Sequence, residues 1–387
     1  MENKNEWKKV KLGEIVTITM GQSPKSEFYN LVGEGVPFLQ GNRTFGKKFP
    51  SFDTYTTKVT KIAKKNDVIM SVRAPIGDLN LATTDICLGR GVCSLRMNNG
   101  NYEFLFYLLK YYSKQLINNG NGTVFTSINR NEIYNLEINI PNNEFIQKKI
   151  SKILSDIDNK IELNNKINNN LEKQLQLLYK HWFIDLEPFN SNEIANWKYG
   201  KLKDILNLEK RIFKKENNIE FPYLPIDVIP MHSFAIKEVK PFSEAQSSLI
   251  KFLKDDILIG AMRVYFHRVV IAPFDGITRN TCFTLSVKEK EYLSFALICC
   301  NLKNTIKFAE KTSKGTTMPY ATWENGLSEM DLLIPPIEIA KKFNISALPL
   351  IRKIQNSYFE NKRLNNLKNY LLPKLMNGEI DVENIEL

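Results

Sequence analysis

The chain has 387 residues, 43% of them hydrophobic and 25% charged, a globular composition well beyond the size of one domain; this excludes a wholly disordered or collagen-like chain and predicts two or three compact units. No run approaches the roughly 18 apolar residues of a bilayer span, and the polar start Met1–Trp7 (MENKNEW) has no apolar signal core, so a cytoplasmic protein is expected. Lys plus Arg number 53 against 42 Asp plus Glu, a formal net charge of +11, which favours a polyanionic partner but also accompanies any Lys- and Asn-rich proteome.

Taken in chain order, WKKVKLGEIVTI begins at Trp7 and VPFLQ follows at Val36–Gln40. Lys64–Ala82 contains NDVIMSV, which reads as a buried strand entered from an acidic turn. Glu103–Asn118 (EFLFYLLKYYSKQLIN) has leucines and aromatics at helical spacing and predicts a core helix. GTVFTSINRNEI at Gly122 and INIP at Ile138–Pro141 close this mixed segment. A long helix is predicted over Phe145–Phe183, ~58 Å at 1.5 Å per residue. Its seam runs through Leu154, Ile157, Ile161, Asn164, Asn168, Leu171, Leu175, Leu178 and Trp182, a heptad pattern that needs a partner helix.

The series then begins again. WKYGKLKDILNL starts at Trp197, FPYLP spans Phe221–Pro225, and LKDDILIGAMRVYFHRVVIA spans Leu253–Ala272. A counterpart of the core helix is predicted over Glu291–Lys303, followed by GTTMPYATWENGL at Gly315 and LLIPP ending at Pro336. NKINNNLEKQL at Asn165 returns as NKRLNNLKNYL at Asn361. The offset between partners drifts from 185 (Val36 to Phe221) to 196 (Asn165 to Asn361), as loop insertions in a duplicated scaffold require. The second long helix is predicted from Glu338 to about Leu372, with Leu348, Ile351, Ile354, Tyr358, Leu364, Leu367 and Leu371 on its seam and Pro373 interrupting it. Asparagines on both helices fit either a register-fixing polar layer or a solvated face. The expected fold class is α+β: two pseudo-repeated target-recognition domains separated by two long antiparallel coiled-coil helices. The boundaries are 1–144 and 191–337 for the domains, 145–190 for the first helix, and 338–387 for the second helix with the C-terminal tail.

Little in the chain suggests catalysis. Five cysteines and three histidines have no metal-ligand spacing, and Cys299–Cys300 lies in an apolar run, SFALICCNL. There is neither a GxxxxGK(S/T) phosphate loop nor a (D/N)PP(Y/F) methyltransferase motif. Asp255–Asp256 opens a strand where Asn66–Asp67 opens the matching one, so a turn role is expected in place of metal binding.

The WKxxKLxxI opening of each half, the KNDVIMSVRAPIG and KDDILIGAMR strands, LLYKHWFIDLEPF after the first helix and the C-terminal LLPKLMNGEI together resemble the DNA-specificity (S) subunit of Type I restriction–modification systems, from about Trp7 to Ile380. The resemblance implies two domains, each reading half of a bipartite, asymmetric DNA target, with the helices setting the spacer. It implies as partners double-stranded DNA, two methyltransferase (M) subunits and, in the full complex, restriction (R) subunits. Adenine methylation, translocation and cutting would be theirs, so this chain would be non-catalytic and bind no cofactor. S-adenosylmethionine, ATP and Mg would sit on the partner subunits. The alternatives are a stand-alone DNA-binding or regulatory relative, or an enzyme with an unrecognised site.

Base discrimination favours Arg, Asn and Gln, and phosphate positioning favours Lys and Arg. QGNRTFGKK supplies Gln40, Asn42, Arg43, Thr44 and Lys47 on a loop suited to DNA, though it also suits an ordinary solvated hairpin. Arg73 and Arg263 sit at matching positions, where phosphate contact or structural pairing is expected. Arg90 in LGRGV and Arg279 in GITRN complete the arginines, with Arg43 and Arg279 preferred for bases. KTSKGTT adds Lys311, Lys314 and Thr316 for phosphate contact; its counterpart NNGNGT has no lysine, which disfavours a palindromic target. His267 is either a satisfied histidine or a further DNA contact. No catalytic or metal-binding residue is expected.

Overall fold

The computed structural model describes residues 7–118, 127–214, 220–246 and 248–385. The chain forms two compact units, Met1–Asn159 with Asn365–Leu387, and Lys160–Leu364.

In the first unit, Trp7–Lys11 pairs antiparallel with Glu137–Pro141. A four-stranded sheet has the order Val16–Met20, Val92–Met97, Val68–Ser71, Leu79–Leu81. Against it packs the helix Tyr102–Asn118, whose residues Phe104 to Leu109 are all buried in one core. A second sheet runs Tyr29–Asn30, Tyr55–Thr56, Val36–Leu39, Ile86–Leu88, Ile62–Ala63, and its Val36–Leu39/Ile86–Leu88 pair is parallel.

The second unit repeats this plan. Lys198–Lys201 pairs with Asp331–Ile334, and the four-stranded order is Leu206–Leu208, Cys282–Val287, Ile257–Gly260, Val269–Ile271. The same turn opens the central strand in both units. Asn66 and Asp255 adopt φ of 73° and 76°, the left-handed region that short Asn and Asp side chains tolerate. Asn66 N donates to Ala82 O at 2.8 Å, and Asp255 N to Ala272 O at 2.8 Å. Asp67 accepts from Lys64 N (2.9 Å) and Asp256 from Leu253 N (2.7 Å), and each also holds an arginine, Arg96 or Arg211. These acidic residues therefore cap turns. Among the described residues no group of three metal-ligating side chains occurs.

The two long helices are Glu144–Phe183 and Ile337–Met376, 40 residues each. All nine predicted seam positions of the first are buried or half-buried. Within the second unit the helices run antiparallel, with Asn164 facing Asn361 while Tyr179 and Trp182 meet Phe343. Asn164 Nδ2 donates to Asn361 Oδ1 (2.9 Å) and Glu360 Oε2 (2.8 Å), and Asn361 Nδ2 to Asn165 Oδ1 (3.0 Å). The asparagines thus form a buried polar layer. In the first unit Leu154 and Ile150 share a core with Leu375 and Met376, and Asp158 pairs with Lys368.

Three sequence expectations are corrected. The second long helix continues past Pro373 to Met376; a proline this near the end removes one donor, and Asn377 N closes the turn on Pro373 O at 3.0 Å. Leu367 is exposed and leaves the seam. The core helix of the second unit is split into Leu293–Cys300 and Lys303–Lys311, with its first residues in a short 3₁₀ turn, Lys290–Tyr292. All five cysteines are buried and free, and among the described residues no helix is long and apolar enough to cross a membrane.

Candidate nucleic-acid interface

The first unit gathers its candidates around the turn that follows Ile86–Leu88. Gly89 N donates to Leu39 O (2.8 Å) and Gly91 N to Gln40 O (2.9 Å), which lays the Gln40 loop against the Arg90 turn. Gly91 O accepts from Val72 N (2.9 Å), and the next residue, Arg73, bridges Ser127. Asn42 Nδ2 donates to Asp78 Oδ2 at 2.6 Å, and Asp78 N donates to Ser71 Oγ. Gln40, Asn42, Arg73 and Arg90 therefore sit on adjoining segments at one end of this unit, with Gln40, Arg73 and Arg90 exposed.

Arg43 is already paired. Its guanidinium grips Asp53 with both terminal nitrogens, at 2.7 and 2.8 Å, and the hydrogen bonds from Arg43 and Thr54, with a smaller contribution from the Arg43 charge, hold the Asp53 carboxyl below the usual carboxylate range. Phe38 to Thr44 with Asp53 and Thr54 line a cleft of about 320 Å³. Thr44 O accepts from Ser51 N (2.9 Å) in the closing hairpin. Lys47 is exposed on it, whereas the neighbouring Lys48 turns inward to Glu103 and Asn159.

The second unit uses a different construction. Arg263, exposed, takes φ of 50° and donates its N–H to Pro319 O at 2.8 Å. Met262 bridges Tyr320, and Lys314 and Tyr320 exchange two backbone bonds of 2.9 Å. Tyr320 Oη donates to Asn280 O (3.1 Å), so the Lys314 loop is tied to the Arg279–Asn280 turn. The hydrogen-bond ladder also revises one correspondence. Arg73 opposite Ser127 matches Met262 opposite Tyr320, which places Arg263 one residue beyond the Arg73 position. Thr316 is exposed beyond Gly315, while Lys311 ends the helix Lys303–Lys311, where a cation also complements the helix dipole.

His267 belongs to the interior. It is 6% exposed, and its Nε2 lies 2.7 and 2.9 Å from the side-chain and backbone oxygens of Asn301; burial pushes its pKa down. Trp182 and Phe183 also pack inward, against Phe189 and Phe343 and against Phe295 and Phe343. Asn280 and Tyr320 were not anticipated, although GITRN and GTTMPY contain them. The glycine-bearing NNGNGT stretch, from residue 119 on, lies outside the described residues.

The family model for the Type I restriction modification DNA specificity domain matches this chain twice, over residues 4–173 and 194–369. The chain belongs to the Type I DNA-specificity family. Similar to it along nearly its whole length are the type I restriction enzyme MjaIX specificity subunit of Methanocaldococcus jannaschii (26% identical, 98% of this chain and 95% of the relative) and the HindI specificity subunit of Haemophilus influenzae (23%, covering 97% and 100%). A crystal structure of the Type I restriction–modification S subunit from M. genitalium has the same fold, with a TM-score of 0.71 at 19% identity and 97% of each chain covered. The two family matches coincide with the two halves whose strand orders and turns repeat, so in this family member the duplication is structural as well as sequential.

Proposed function

We propose that this chain is the non-catalytic specificity subunit of a Type I restriction–modification complex. Each recognition domain reads one half of a bipartite, asymmetric DNA target, and the long helices set the spacer. Two methyltransferase subunits, joined by restriction subunits in the full complex, carry S-adenosylmethionine, ATP and Mg and perform the chemistry; the chain works with genomic DNA in the cytoplasm. The observation that carries this reading is the duplication. Two copies of one α+β scaffold each end in a basic and polar surface, and the surfaces differ in composition. Unlike surfaces fit unlike half-sites, and small net charges, +5 over residues 1–144 and +3 over 197–340, fit salt-sensitive binding that other subunits complete.

Methylome sequencing of a host expressing the chain with its methyltransferase partner tests this. A two-part motif with unlike halves is expected. A continuous or palindromic motif, or methylation by the purified chain alone, would reject the reading.

A further inference from the structure

The two units share strand pairing at this surface but fill it differently. In the first, Phe38 and Leu39 pair in parallel with Cys87 and Leu88. In the second, Tyr223 bridges Ile277 in parallel, Leu224 N donates to Ile277 O (2.8 Å), and Thr278 Oγ1 donates to Leu224 O (2.7 Å). The neighbouring pairs agree: Ile62/Cys87 and Ala63/Ile86 recur as Lys251/Ile277 and Phe252/Gly276. This register puts Gly89 and Arg279 at the same place in the fold.

A side chain is excluded at Gly89. A Cβ there would lie 2.6 Å from Gln40 Cα, because the first unit's chain runs on past Leu39 as the Gln40–Lys48 loop. In the second unit the chain turns away at Pro225 into the short turn Ile226–Val228, and a full arginine occupies the position.

Three other arginines of that unit are held by the protein: Arg211 by Asp256 and Glu209, Arg268 by the carbonyls of Ile226, Asp227 and Ile229, and Arg352 by Asp255. The Arg279 backbone pairs with Leu249 in the sheet, but its side chain has no hydrogen-bond or carboxylate partner among the described residues. It is half-buried, and its Nε is enclosed without an acceptor. A donor left so is uncommon in native proteins, where buried polar groups find partners.

We propose that Arg279 is the base-reading side chain of the second unit, taking the place that the Gln40–Arg43 loop fills in the first, and that it reads guanine. A guanidinium offers only donors in a planar fork, and guanine alone presents two adjacent acceptors, O6 and N7, in the major groove. Exposed Arg263 and Lys314 are left for phosphates. This rests on the function proposed above.

The test compares the wild-type chain with Arg279→Gln and Arg279→Lys, each co-expressed with the methyltransferase subunit and read by methylome sequencing. In both variants one guanine of one half-site should become degenerate while the other half is unchanged. As a check independent of folding, wild-type complex should bind an oligonucleotide carrying 7-deazaguanine at that position about 10–100-fold more weakly, the loss of an acceptor from a bidentate contact. An unchanged motif in the variants, or unimpaired binding to the 7-deazaguanine site, overturns the role of Arg279 and leaves the proposed function standing. A wild-type motif that is not bipartite overturns both.

Discussion

Single residues at the candidate interface divide into those already partnered and those left available. Arg43 was preferred for base reading from sequence, yet the structure gives both its terminal nitrogens to Asp53. The carboxylate orients the arginine and also opposes phosphate approach. Asp53→Ala should therefore leave the melting temperature unchanged, because the pair is exposed, and should raise affinity for arbitrary duplex while lowering preference for the cognate first half-site. Fluorescence anisotropy on specific and scrambled duplexes over a salt series measures this; equal changes on both duplexes would contradict it. His267 makes a second prediction. Burial depresses its folded pKa, so the folded state binds its proton less readily than the unfolded state does. The stability linked to it is present above the unfolded pKa near 6.5 and is lost as pH falls through the folded value. Thermal melts from pH 8 to pH 5 should decline less steeply for His267→Gln than for the parent. A parallel decline would assign the acid limb to other groups.

Elements were largely legible from sequence where periodicity was long. The first long helix followed from heptad spacing and most of the second from a less regular seam, while the apolar runs NDVIMSV and DDILIGA located the strands Val68–Ser71 and Ile257–Gly260. What failed was local. Pro373 reads as a helix terminator, but Leu375 and Met376 are buried, and their packing outweighs one missing donor. Sequence alignment sets Arg73 on Arg263, whereas hydrogen bonding sets it on Met262, because the ladder runs without a gap from Ser71 and Val72 onto Gly260 and Ala261; pairing the two arginine letters requires a gap that the strands do not contain. The partnering of Arg43 by Asp53, ten positions along the chain, was likewise invisible, because it depends on how a loop closes. For the helix pair, Asn164→Ala would remove a donor from buried Asn361 and from the partly exposed Glu360. It should destabilise the protein by about 1–3 kcal/mol. A denaturant midpoint unchanged from the parent would show that the layer adds nothing to stability.

Across the whole molecule, duplication explains features that would otherwise be unrelated. The repeated turn at Asn66–Asp67 and Asp255–Asp256, the repeated sheet order and the double family match show one scaffold used twice. The surfaces at the equivalent ends were free to diverge, one by a loop closed over Gly89, the other by a side chain at Arg279. On the proposed function, a chain built so would change one half of its target without disturbing the other. Domain exchange tests this most directly: residues 1–144 are replaced by the corresponding domain of another family member, and the motif methylated with the same methyltransferase partner is read by methylome sequencing. One half of the motif is expected to change while the other half stays intact. An unchanged motif, or one altered in both halves, would contradict it.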